Sequence, residues 1–213
     1  MTPATTLLAF LGLVVTLLIV WRRSWPGRLR LFVVQSLLLA ALALTLGLYA
    51  GQTALVLVAA MVAVLKGWFI PRALARIAAG TPVRPVAAGT SAGAALLTAG
   101  ALVVAAYLLM LPVATRSALP TAGAVPLAFA MALIGLFVTV TGRDVFGHAL
   151  GFLMLENGLF SLALVATYGL PALVEAGVFL DVLVIVLVME GVAAQVRREH
   201  DSIEVDRLRE LRG

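Results

Sequence analysis

The chain has no cysteine, and with it go disulfides, thiolate metal sites and cysteine nucleophiles. Two histidines, His148 and His200, are too few to build an imidazole cage, so neither a metal centre nor a haem is expected within this chain. Charge is scarce as well. Only 12% of the residues are Asp, Glu, Lys or Arg, about half the share of a soluble domain, against 63% in the hydrophobic set. No soluble core of 213 residues could bury so much apolar surface, and the mean hydropathy of +1.14 points to a bilayer.

The scarcity is also uneven. All ten acidic residues lie at or after Asp144, so the first two-thirds of the chain contain no carboxylate. There is a single lysine, Lys66; the other basic residues are arginines that fall between apolar runs. A net charge of +5 would suggest nucleic acid in a soluble protein, but arginines so placed act as topology signals, and no nucleic-acid partner is expected.

A bilayer core about 30 Å thick takes roughly 20 helical residues. Seven segments fit: Ala4–Trp21, Leu31–Ala50, Thr53–Ile70, Thr90–Val113, Thr121–Thr141, Val145–Tyr168 and Pro171–Ala193. Turn signals separate them, among them Trp25-Pro26-Gly27, Gly51-Gln52, the Pro82/Pro85 stretch, Leu111-Pro112, Leu119-Pro120 and Gly169-Leu170-Pro171. The fold class expected is therefore all-α, a polytopic membrane protein of about seven transmembrane helices. Met1-Thr2-Pro3-Ala4 lacks a basic n-region, so the first apolar run is expected to be a retained helix.

Counting Lys and Arg by alternate loops puts 14 of the 15 on one side, in the groups Arg22–Arg30, Lys66–Arg84, Arg143 and Arg197–Arg212, and leaves Arg116 alone on the other. Positive charge is retained in the cytoplasm, so this partition predicts an outside N-terminus and a cytoplasmic C-terminus. The chain then divides into an N-terminal four-helix region (residues 1–113), a C-terminal three-helix region (residues 121–193) and a cytoplasmic tail (residues 194–213) that docks on a partner or on the membrane face.

Four carboxylates fall inside the last two segments. Glu156 lies 13 residues before the Gly169-Leu170 turn and Asp181 about 11 after it, which places both near the membrane midplane. A carboxylate at that depth costs about 2.5–3.5 kcal/mol on insertion scales and marks either an ion pathway or a fixed polar contact. Glu175 and Glu190 fall near helix ends and read as groups reaching headgroups or water. His148 follows Asp144 by four residues, on the same helical face, so a line from Asp144 through His148 towards Glu156 defines a candidate access route. Alternatively His148 pairs with Asp144 or a headgroup. Lys66 has two readings, a stem that snorkels to the interface beside Trp68 or a cationic partner for a carboxylate. Asn157 adds a neutral polar group beside Glu156. No P-loop, dinucleotide fingerprint, HExxH or nucleophile elbow is present, and an independent enzyme active site is not expected.

The run Gly151-Phe-Leu-Met-Leu-Glu-Asn-Gly-Leu-Phe, with Tyr168-Gly-Leu-Pro, Leu180-Asp181-Val-Leu-Val and the closing Asp206-Arg207-Leu-Arg-Glu-Leu-Arg-Gly213, resembles hydrogenase-4 component E. That family comprises membrane subunits of energy-converting, complex I-related nickel-iron hydrogenase assemblies. The C-terminal three-helix region is similar to the K subunit of respiratory complex I and the C subunit of Mrp-type cation antiporters. The resemblance implies a non-catalytic subunit in the plasma (inner) membrane of a prokaryote. Its partners would be antiporter-like membrane subunits and hydrogenase-like subunits, which would carry the nickel-iron centre and iron–sulfur clusters while this chain carries none. It further implies that Glu156 and Asp181 hold the places of two acids in a proton path, with His148, Asp144 and Lys66 as access or partner residues. The alternatives are a purely structural subunit of the same membrane arm and a subunit of an Mrp-like cation/proton antiporter.

Overall fold

The computed structural model describes residues 2–80, 91–142 and 144–169. Over these the chain is helical. Helix α1 spans Thr2–Trp21 and α2 Trp25–Ala50; α3 (Thr53–Val64) continues through a π-helical turn at Leu65–Phe69 into α4 (Ile70–Gly80). Then follow α5 (Ala92–Arg116), a short 3-10 turn at Ala122–Ala124, α6 (Val125–Thr141) and α7 (Val145–Thr167). Six of the resulting helical segments are long and apolar enough to cross a membrane: Pro3–Trp21, Trp25–Ala50, Thr53–Arg76, Ala92–Arg116, Ala122–Thr141 and Val145–Thr167. The seventh expected segment, Pro171–Ala193, lies outside the described residues, together with Glu175, Asp181, Glu190 and His200.

Three boundaries differ from the sequence expectation, each for a local reason. α2 starts at Trp25 rather than Leu31 because Pro26 occupies the first helical turn, where its missing N–H costs nothing, and Arg28 and Arg30 are already helical. The third span runs past Ile70 because the π turn precedes Pro71. The Ile70 N–H reaches back five residues to the Leu65 carbonyl, so the backbone is already widened where the proline ring would crowd a regular helix. α5 absorbs Pro112 in its last turns and ends at Arg116, so Leu111-Pro112 does not open the loop.

Other ends follow their sequence signals. The Ser91 hydroxyl caps α5 by accepting from the Ala94 N–H at 3.1 Å, and the Asp144 carboxylate caps α7 by accepting from the Gly147 N–H. α7 stops where Tyr168 and Gly169 both take left-handed conformations, φ 55° and 75°, with the Gly169 N–H returned to the Leu164 carbonyl. The Thr121 hydroxyl donates to the Val165 carbonyl at 2.6 Å, tying the turn before α6 to the end of α7.

The closest packing is between α6 and α7. A Cβ placed on Gly135 of α6 would strike the backbone at Leu155; on Gly151 or Gly158 of α7 it would strike the backbone at Thr139 or Ala132. Glycines on both partners thus let the two backbones touch, as association in a bilayer favours when lipid is as apolar as leucine. α2 packs against α1, α3 and α7, and α1 also packs against α6. α5 is peripheral, fully burying only Ala99 and Ala106. Gly158→Ala is expected to destabilise the chain by about 1–3 kcal/mol through overpacking, whereas Gly100→Ala, with nothing near its added methyl, should be silent; thermal unfolding in detergent compares them.

Candidate functional site

The helix ends set the depth of the buried polar residues. Gln35 lies 10 residues into α2 from Trp25, Glu156 lies 11 into α7 from Val145, and Lys66 lies 10 before Arg76 at the end of the third span. All three distances run from the arginine-rich side, at about 1.5 Å per residue, and reach one depth.

There the side chains meet. Lys66 continues the buried face of Leu55, Ala59 and Val62 and is itself fully buried. Its Nζ lies 3.2 Å from Glu156 Oε2 and donates to Asn157 Oδ1 at 3.1 Å. Asn157 Nδ2 donates onward to Gln35 Oε1 at 3.3 Å and Ser36 Oγ at 3.1 Å. Gln35 Nε2 donates to Thr16 Oγ1 at 2.7 Å, and the Thr16 hydroxyl donates to the Gly12 carbonyl at 2.7 Å. Every donor in this series points from the third span towards α1. The amide of Asn157 and that of Gln35 are thereby oriented, since each must present oxygen on one side and nitrogen on the other.

All six side chains are buried. An ion pair so placed gains strength from the low dielectric but also pays for desolvation of both charges, so geometry decides its worth. Here the ammonium has both a carboxylate and an amide oxygen, and the amide is itself supported by α2.

Of the sequence candidates, the structure brings together Glu156 and Lys66. Lys66 does not snorkel: its amino group turns inward, and the interfacial cation over Trp68 is Arg72, 4.5 Å from the ring centroid. Asp181 lies outside the described residues. Asp144 and His148 stay at the start of α7, about 18 Å and about 12 Å of helix, respectively, from Glu156. Asp144 caps the helix and acts electrostatically on Arg28 of α2, while the exposed His148 ring contacts the Asp144 carbonyl through Nδ1 at 2.9 Å. Trp25 packs on Phe146 beside them, ring centroids 5.3 Å apart. The Asp144 cap and the His148 contact both stay within the first turn of α7. Gln35, Ser36 and Thr16 escaped the sequence reading, although each is a polar residue within an apolar run. No group of three or more His, Cys, Asp or Glu that could hold a metal occurs among the described residues.

The fold and site define a multi-pass helical membrane protein organised around a buried lysine–carboxylate pair. The chain belongs to the family of the uncharacterized protein Rv0085 of Mycobacterium tuberculosis, with 39% identity over 207 residues that cover 94% of this chain and 93% of that protein. It is also a distant homologue of hydrogenase-4 component E, 26% identical over 208 residues to the proteins of Escherichia coli K12 and Shigella flexneri, covering 97% of this chain and 96% of each. No family model matches the chain, and no solved structure matches it.

Removing one partner of a buried pair strands the other. Lys66→Met is expected to cost about 3–5 kcal/mol, and Lys66→Met combined with Glu156→Leu to recover most of that loss. Denaturant titration in detergent of the parent, Lys66→Met, Glu156→Leu and the double variant measures the coupling; additive losses would mean that the two groups do not interact.

Proposed function

We propose that this chain is a membrane subunit of a hydrogenase-4-type assembly and that it contributes Glu156 to a proton-translocation path. The observation that carries the reading is the Lys66–Glu156 pair at membrane depth, in a chain homologous along its length to hydrogenase-4 component E. Glu156 is the group that takes up and releases the proton, and Lys66 compensates its charge. Primary amides release protons poorly, so the Asn157–Gln35 series is a fixed support and not a conductor. Protons then reach Glu156 from another side of α7, and Asp181 is the expected continuation. In this reading the redox chemistry, with its nickel-iron centre and iron–sulfur clusters, belongs to hydrogenase-like partner subunits; this cysteine-free chain has no thiolates for such clusters. Antiporter-like subunits complete the membrane arm, and the location is a prokaryotic plasma membrane.

The full engagement of the amides also favours a second reading, in which the pair is a static anchor that joins parts of the membrane arm. Glu156→Gln separates them. With translocation through Glu156, the assembled complex persists on a native gel while proton uptake by membrane vesicles, coupled to the redox reaction, falls at least tenfold. Normal coupled uptake would reject the relay, and loss of the complex itself would support the anchor.

Orientation has its own test, made simple by the absence of native cysteine. Ala118→Cys should react with an impermeant maleimide in intact cells, and Ser24→Cys only after lysis. The reverse pattern would place the N-terminus in the cytoplasm.

A further inference from the structure

Lys66 is met by two consecutive residues of α7 that differ in one respect. Glu156 can lose its charge by taking a proton; Asn157 cannot. The Asn157 oxygen is 3.1 Å from Lys66 Nζ, as near as the Glu156 oxygen at 3.2 Å, and its amide is held from behind by both Gln35 and Ser36. The Gln35 amide is in turn fixed by Thr16 of α1. A residue that served only to fill space between α7 and α2 would not need this series of oriented donors, each spent on the next acceptor.

We propose that Asn157 is a positioning residue, an amide latch that holds the Lys66 amino group at the membrane midplane whether Glu156 is ionised or neutral. In the proposed translocation cycle, on which the purpose of the latch rests, the proton enters and leaves Glu156 while the cation stays in place. Without the latch, neutralising Glu156 would loosen the hold on the Lys66 amino group at this seat.

The surroundings suit such a division of roles. α1 and α6 contain no charged residue, and the arginines of α2, Arg28 and Arg30, lie in its first turns, with Arg28 acting on Asp144. Lys66 is the charged group whose ion pair with Glu156 is seen among the described residues. The π turn adds to the constraint, because it carries Lys66 on the buried face of the third span.

The experiment uses the fact that Lys66 is the only lysine. Incorporating 15N-lysine into the full chain in lipid nanodiscs gives one side-chain Nζ signal, whose chemical shift and order report the seat directly. In Glu156→Gln the signal is expected to remain ordered and close to its original position. In Asn157→Leu it should remain ordered while Glu156 is ionised. In the double variant it should move and lose order by far more than the two single changes together, and Asn157→Asp in the Glu156→Gln background should restore it. A loss of order in Glu156→Gln alone would overturn the latch, as would an unperturbed signal in the double variant. Neither result depends on proton movement, so the latch and the translocation reading fail separately. Circular dichroism of each variant confirms that the helices are retained.

Discussion

The ammonium of Lys66 is fully buried and has to be satisfied by neighbouring side chains, and much of the arrangement answers that requirement. A lone cation at bilayer depth is costly, and a lone carboxylate is costly for the same reason. Placing them 3.2 Å apart offsets part of each penalty, but only if both helices are held in register. The Gly135, Gly151 and Gly158 contacts hold α7 against α6, Gln35 and Ser36 hold it against α2, and Lys66 ties it to the third span. The polar interactions therefore specify which helices are neighbours, while the small residues let them approach.

This division matters in a lipid environment because apolar faces do not choose partners. Leucines of α2 would pack as readily against lipid as against α7. Hydrogen bonds among Thr16, Gln35 and Asn157 are directional and can be made in one arrangement. α5 shows the contrast: it has no buried polar group, buries little, and presents Leu97, Val104 and Leu108 outward.

How much of this was legible in the sequence depends on helix ends. Hydropathy and turn residues placed six spans correctly in number and order across the described residues, and Asp144 and Tyr168-Gly169 marked both ends of α7. Glu156 stood out because carboxylates are rare. Lys66 was left between a snorkelling stem and a carboxylate's partner, and Gln35 was passed over, for one shared reason. With α2 taken to start at Leu31 and the third span to stop at Ile70, each sat four residues from an edge, where a polar side chain needs no partner. Pro26 and Pro71 suggested those edges, yet one is tolerated in a first turn and the other follows a π turn. The polar chain from Lys66 to Thr16 became visible only when the helices lengthened and those residues sank to the depth of Glu156.

The π turn at Leu65–Phe69 also acts as a phase shifter. It inserts one residue into an otherwise regular span, and one residue is about 100° of rotation. Upstream of it the sequence is in step with α2; downstream, Ile70 and Leu74 return to the core while Arg72 and Arg76 stay exposed. Two patterns that are out of phase along one helix, a midplane cation and an interfacial arginine belt, can coexist because the turn resets the count between them. Shortening the chain by one residue there would leave the composition almost unchanged and yet point one of the two patterns in the wrong direction.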